Sequence, residues 1–297
     1  MNTINTAAYM RECKLCPRQC GIDRTKSPGA CSCGDRVIVS KFSLHYWEEP
    51  CISGQAGSGT VFFSGCPLKC VYCQNHRIAL AVRGRETTVR ELGHMFLSLQ
   101  EQGAHNINLV TGVHFVPQII EALNQVKHRL TIPIVYNSGG YELPETLKLL
   151  EGYVDIYLPD FKYFSPDTAA KYSRAPDYPE RARKALDEMV RQAGAPVFGP
   201  DGMMQRGVIV RHLCLPGHKN ESKDVLEYLH GRYGDEIYVS VMNQYTPVYE
   251  GTEFSNLHRR LTRREYEEIL DFCNVLGMNK VFIQTGETAL ESFIPDF

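Results

Sequence analysis

The chain has 297 residues, 43% hydrophobic and 22% charged, with a net charge of -2 at neutral pH. That balance offers no basic field for nucleic acid or an anionic membrane, and no apolar run reaches the length of a membrane span. Residues 1–10 lack a positive region followed by a hydrophobic stretch, so no secretory signal is expected and a cytoplasmic setting is; eleven cysteines there, nine of them before residue 74, point to metal binding or catalysis rather than disulfides.

Residues 1–57 form the first expected unit, a cysteine-rich module. Pro17, Gly21, Pro28, Gly29 and Gly34 interrupt regular structure, and the cysteines run Cys13-x2-Cys16-x3-Cys20, then Cys31, Cys33 and Cys51. A loop-dominated segment of this size needs staples to hold a shape. Cys13, Cys16, Cys20 and Cys31 are candidate ligands of a metal, either zinc or an iron–sulfur cluster. The first pair has the C-x2-C spacing of zinc sites, while the set as a whole lacks the ferredoxin pattern. Metal-free packing of the thiols is the alternative, and Cys33 and Cys51 are spare or substitute ligands.

From residue 58 to 297 the pattern changes, with short apolar runs alternating with longer amphipathic segments. This predicts repeated βα units and a parallel sheet. Strands are expected near Thr60–Phe63, Asn106–Thr111, Ile132–Tyr136, Val154–Leu158, Gly207–Leu213, Ile237–Met242 and Lys280–Ile283. Helices are expected near Thr88–Glu101, Val116–Val126, Pro144–Glu151, Pro179–Ala193, Lys223–Tyr233 and Arg263–Leu276. Several strands end in small or polar residues, and in parallel α/β barrels those ends carry the active site. There is no internal repeat and no low-complexity run.

Directly after the first of these strands, Cys66, Cys70 and Cys73 stand at C-x3-C-x2-C. Three thiolates so close in the chain can hold one metal centre. A [4Fe-4S] cube normally takes four cysteines, so three leave one iron open, and an open coordination position is where chemistry happens. A zinc knuckle or buried free thiols are the alternatives, but zinc sites come as paired C-x2-C.

With Tyr72 before the last cysteine, this motif resembles the radical S-adenosylmethionine (SAM) enzymes over about residues 58–285. The resemblance implies a [4Fe-4S] cluster on Cys66, Cys70 and Cys73 whose fourth iron is chelated by SAM. It further implies reductive cleavage of SAM to a 5′-deoxyadenosyl radical that abstracts hydrogen from a substrate. The runs Cys13-Lys-Leu-Cys16-Pro17, Tyr46-Trp47-Glu48-Glu49-Pro50-Cys51-Ile52-Ser53-Gly54 and Phe63-Ser64-Gly65-Cys66 look more specifically like the PflX-like subfamily of the pyruvate formate-lyase activating branch. The expected fold is therefore α/β, a partial (β/α) TIM-type barrel with a small cysteine-rich N-terminal module.

The resemblance also suggests SAM contacts at later strand ends. Thr111, Gly112 and His114 fall where activating enzymes carry Gly-Gly-Glu-Pro, with His114 at the glutamate; an ordinary strand-to-helix turn is the alternative. Asn137 and Ser138 open Asn137-Ser138-Gly139-Gly140, matching a turn near the SAM amino acid or ribose, or making a plain tight turn. Asp160 and Lys162 resemble the Asp-x-Lys that touches the methionyl part; on extended chain both side chains point the same way, and a surface salt bridge is the competing explanation. Arg211, ahead of Pro216-Gly217, is a candidate for the SAM carboxylate through its bidentate fork. Asn243 or Gln244 stands where activating enzymes carry a histidine for ribose or adenine. Cys214 and Cys273 read as buried free cysteines.

The expected function is thus a radical SAM oxidoreductase, with an electron donor such as flavodoxin or ferredoxin and a protein substrate, the latter implied by glycyl-radical activation. Modification of a small molecule or another macromolecule is the alternative reaction. A non-catalytic iron–sulfur electron carrier or a zinc-stabilised binding module is the alternative of another class.

Overall fold

A computed structural model describes residues 4–80 and 83–284; the C-terminal end of the unit expected to reach residue 297 lies outside them. The chain begins with helix α1 (Thr6–Arg11), strand β1 (Val37–His45), the single-turn α2 (Pro50–Ser53) and β2 (Ser58–Phe63). After the cysteine loop come α3 (His76–Ala79), β3 (Arg85–Thr87), α4 (Val89–Glu101), β4 (Ile107–Val110) and α5 (Val116–Val126). Alternation continues through β5 (Ile134–Ser138), α6 (Pro144–Leu149), β6 (Ile156–Pro159), α7 (Pro166–Ser173) and α8 (Tyr178–Ala193). The chain closes with β7 (Val197–Phe198), β8 (Met204–Leu213), α9 (Lys219–Tyr233), β9 (Tyr238–Met242), α10 (Arg263–Leu276) and β10 (Val281–Ile283).

The strands form one sheet in the order β10-β9-β8-β6-β5-β4-β2-β1-β3, with β7 paired to β8 off this path. Every pairing from β10 to β2 is parallel, while β1 pairs antiparallel with both β2 and β3. The parallel run with its crossover helices is the expected partial barrel. Each crossover helix is specified locally. Thr88 and Glu91 form a capping box at α4, and Thr262 and Glu265 form another at α10. Pro179 occupies the first turn of α8, which ends at Gly194. Among the described residues no helix is long and apolar enough to cross a membrane.

The period-two alternation of the strands separates two environments. Val61, Phe63, Ile107 and Leu109 face outward onto Leu92, Phe96, Ile119 and Leu123 of α4 and α5. Tyr136, Tyr157, Val208, Val210, Val239 and Val241 join the larger outer core. On the opposite face Val135, Ile156, Leu158 and Ile209 pack on Cys51 and Ile52 of α2, which plugs the barrel floor. One step further along the same face stand Asn137, Asp160 and Arg211, so the register that buries the floor aims these polar groups at the strand tops.

The N-terminal unit does not stand apart at residue 57. β1 pairs with β2 from Val39↔Phe63 to His45↔Ser58, and α2 belongs to the barrel interior. Residues before β1 are loop-rich, as expected, and drape over the barrel. Arg18 donates to the carbonyls of Pro67 (2.9 Å), Arg174 (2.7 Å) and Ser173 (3.0 Å), and Thr146 donates to the Leu15 carbonyl at 2.9 Å.

Candidate functional site

The loop after β2 carries Cys66, Cys70 and Cys73, and its path is fixed by backbone contacts. Gly65 has φ +87°, and a Cβ there would lie 2.4 Å from Cys33 Sγ and 2.7 Å from the Cys31 carbonyl oxygen, so only glycine fits. The Cys66 amide donates to the Cys31 carbonyl (3.2 Å), Val71 to Tyr172 (2.9 Å) and Cys73 to Cys70 (3.1 Å). Tyr72 is buried edge-on among Tyr163, Tyr172 and Tyr245, which anchors the loop from behind.

All three cysteines are free. Burial pushes the Cys66 thiol up to about 11, against the pull of the Lys69 and Leu68 amides that point at its sulfur. Burial likewise pushes Cys73 up to about 12, with Cys70 and Cys66 adding to it. Ser173 donates to Cys70 Sγ at 2.9 Å. Thiols held this way give up their protons to a metal rather than to water. Among the described residues no three His, Cys, Asp or Glu side chains converge closely enough for a single metal ion. Three thiols carried by one loop are a donor set that suits an iron–sulfur cluster.

A pocket at the strand tops is lined by Cys70, Tyr72 and Cys73 from this loop and by Asn137, Asp160, Lys162, Arg211 and Gln244 from later strand ends. Its centre is a charge-balanced ring. Lys162 Nζ donates to Asp160 Oδ2 (2.5 Å), and Arg211 Nε to Asp160 Oδ1 (3.0 Å). Arg211 Nη1 donates to Glu48 Oε2 (2.9 Å) and Nη2 to Asn137 Oδ1 (2.6 Å). Asn137 and Asn108 both donate to Glu48 Oε1, at 3.1 and 3.0 Å. Burial resists charge on Asp160, yet Lys162 and Arg211 hold its carboxyl below the usual range. Burial also opposes charge on Lys162, and Asp160 and Cys70 outweigh it, keeping the ammonium protonated.

The expected contacts do not all line this pocket with free groups. His114 turns away from this pocket: its Nε2 lies 2.8 Å from the Ser64 carbonyl, and its own carbonyl accepts from Arg24 Nη1 at 2.5 Å, on the side of the N-terminal cysteines. Arg211 lines the pocket with one donor on each nitrogen already held, Nε by Asp160, Nη1 by Glu48 and Nη2 by Asn137. Thr111 and Gly112 are also absent from the pocket wall, where Val110 stands instead; Gly112 serves packing, since a Cβ would meet Ile119 at 2.5 Å. Ser138 lies behind the wall, accepting from the Gly140 amide at 3.3 Å. Gln244 does line the pocket, but its Oε1 accepts from Gln284 at 3.0 Å, and its carbonyl ties down Gln74 at 2.9 Å.

Glu48, His45 and Trp47 were not read as site residues, although the run Tyr46-Trp47-Glu48-Glu49 is conspicuous. His45 ends β1 and Trp47 and Glu48 follow it directly, so the pairing of β1 with β2 carries all three to the pocket wall. Burial pushes His45 down to about 4, helped by Arg211, so it is neutral.

Of the N-terminal thiols, Cys13, Cys16 and Cys31 are buried and Cys20 is half-buried. Cys31 adjoins the cysteine loop, its carbonyl accepting the Cys66 amide, and none of the four lines the pocket.

Among curated proteins, the chain is 27% identical over 278 residues to an uncharacterised protein, MJ0674, of Methanocaldococcus jannaschii, covering 92% of this chain and 77% of that one. Similar solved structures include Streptococcus suis SuiB bound to its precursor peptide SuiA, at 10% identity and a TM-score of 0.49, covering 74% of this chain and 46% of that one. Methylornithine synthase (PylB) aligns at 14% identity and a TM-score of 0.49, covering 75% and 70%. AdoMet-bound anSMEcpe aligns at 16% and 0.49, covering 74% and 61%. The chain spans about half the length of SuiB. Residues 60–229, more than half of the chain and including the cysteine loop and most of the pocket, match the radical SAM superfamily: the chain belongs to that superfamily.

Proposed function

We propose that the chain holds a [4Fe-4S] cluster on Cys66, Cys70 and Cys73, binds SAM in the adjoining pocket, and directs the resulting radical at a partner protein, as the PflX-like resemblance implies. The observation that carries this reading is the joint lining of one pocket by two of the cysteines and by the ring of Asp160, Lys162, Arg211, Glu48 and Asn137. When bound, the reduced cluster supplies the electron that cleaves the SAM sulfonium.

The chain's own residues bind, orient and exclude water. Lys162 sits beside Cys70 and Cys73 and offsets thiolate charge. Asp160 and Glu48 offer carboxylate oxygens to the ammonium of SAM, and Lys162 offers a donor to its carboxylate. Arg211 acts as a positioning residue, fixing both carboxylates from behind. The tyrosines around Tyr72 keep the back of the loop dry. The proposal includes a flavodoxin- or ferredoxin-type donor and a cytoplasmic setting.

The test is formation of 5′-deoxyadenosine from SAM by anaerobically reconstituted, reduced protein. The parent is expected to form it and Cys70→Ala to form none. A fully loaded parent that yields none, or a Cys70→Ala variant equal to it, removes the catalytic reading. Following deuterium from labelled candidate proteins into 5′-deoxyadenosine then identifies the target.

A further inference from the structure

Behind the cysteine loop a second group of thiols gathers around a buried cation. Gly29 separates two of them: a Cβ added there would touch Cys20 Sγ at 3.3 Å and Cys31 Sγ at 3.8 Å. Cys16 lies between Cys13 and Cys20 on the same turn, and Cys20 Sγ points at the Cys13 carbonyl (3.9 Å). The loop that brings them together is tightly pinned, with Cys13 N donating to the Ile22 carbonyl (3.1 Å), Gly21 N to Cys13 (3.0 Å) and Gln19 N to Cys16 (2.9 Å). No disulfide uses these sulfurs.

Arg24 is the independent observation. It is only 1% exposed. Its donors go to the carbonyls of Cys33 (3.3 Å), Gly34 (3.0 and 2.5 Å) and His114 (2.5 Å), and Nη1 lies 3.8 Å from Cys13 Sγ. Among the described residues none of these partners is a carboxylate. A buried guanidinium whose hydrogen bonds go mainly to carbonyls is expensive unless a negative charge lies nearby. Four thiolates around a metal carry net negative charge and would supply that compensation next to Cys13.

We infer that Cys13, Cys16, Cys20 and Cys31 form a four-thiolate metal site, with Arg24 as its buried counter-charge. The ligand is a thiophilic metal centre, and four protein ligands leave it no open position, so it is structural or electron-carrying rather than SAM-binding. The site is mechanically continuous with the cysteine loop, because the Cys31 carbonyl accepts the Cys66 amide and Cys33 Sγ bonds the Ser64 carbonyl at 3.2 Å. Cys33 serves as part of this seam rather than as a ligand.

The test is metal and sulfide content after anaerobic reconstitution of the full chain with iron, sulfide and zinc. The Cys66→Ala/Cys70→Ala/Cys73→Ala variant is expected to retain either roughly four irons with sulfide or about one zinc, and the two results identify the metal. Adding Cys16→Ser and Cys31→Ser should remove it. The Cys16→Ser/Cys31→Ser variant alone must keep its other iron, which shows that the barrel still folds. Arg24→Met should weaken metal retention against a chelator by about 10- to 100-fold. A triple-alanine variant free of metal, or metal that persists without Cys16 and Cys31, overturns the site. Equal retention in Arg24→Met overturns the role of the buried charge. None of these readouts depends on SAM cleavage.

Discussion

Glu142 is 1% exposed, and its Oε2 has no hydrogen-bond partner. Burial raises its carboxyl from 4.5 to about 8, with Ser138 and Lys162 opposing and Asp160 adding to the rise. The native state therefore binds a proton that the unfolded chain releases between these values, so stability falls as pH rises from about 4.5 to about 8. Glu142→Gln cannot titrate. Urea midpoints should show the variant gaining on the parent across this window, by up to about 1.4 kcal/mol per pH unit; parallel pH curves would sink the assignment. Single residues were unevenly legible. Cys66, Cys70 and Cys73 declare themselves because all three ligands fall within eight consecutive positions. Glu142 and Arg24 look like ordinary surface charges until burial reveals their solvent.

At the scale of elements, turns carry the precision of the site. Gly140 follows β5 with φ +74°, and a Cβ there would lie 2.0 Å from the Asp160 carbonyl oxygen and 2.7 Å from Tyr178 Oη. That close approach seats Asp160 against Ser138, whose carbonyl accepts the Asp160 amide at 2.9 Å. Gly140→Ala combines a left-handed backbone with a backbone clash and should cost about 2–4 kcal/mol in chemical denaturation. A cost within about 0.5 kcal/mol of zero would mean the turn relaxes freely. The helices were readable because caps and amphipathic periods are local signals: Thr88 and Thr262 cap α4 and α10 where the pattern begins. β1 was not, because Val37–His45 alternates only loosely, and its pairing with β2 is a long-range choice. Short α7 was missed for want of a long enough period.

Over the whole molecule, the segment that looked like a separate module completes the pocket. Glu48 reaches Arg211 from 163 positions away and also accepts from Asn137 and Asn108. Its position depends on β1 lying beside β2 and on Ile52 filling the barrel floor. Glu48→Gln removes the charge of a carboxylate bonded to Arg211, so it should destabilise the protein by about 1.5–3 kcal/mol in urea titration and weaken SAM binding. An unchanged midpoint would separate the N-terminal segment from the site energetically.

The sequence by itself determined the cluster motif, the βα alternation and, through period-two strands, that Asp160 and Lys162 share a direction. These are short-range facts, carried by spacing over a few residues. Tertiary structure decided which charges meet. It turned His114 onto the Ser64 carbonyl, tied Arg211 to Asp160, Glu48 and Asn137, and set Arg24 beside Cys13. Partners so distant in sequence are chosen by sheet order and burial, and no local pattern encodes either.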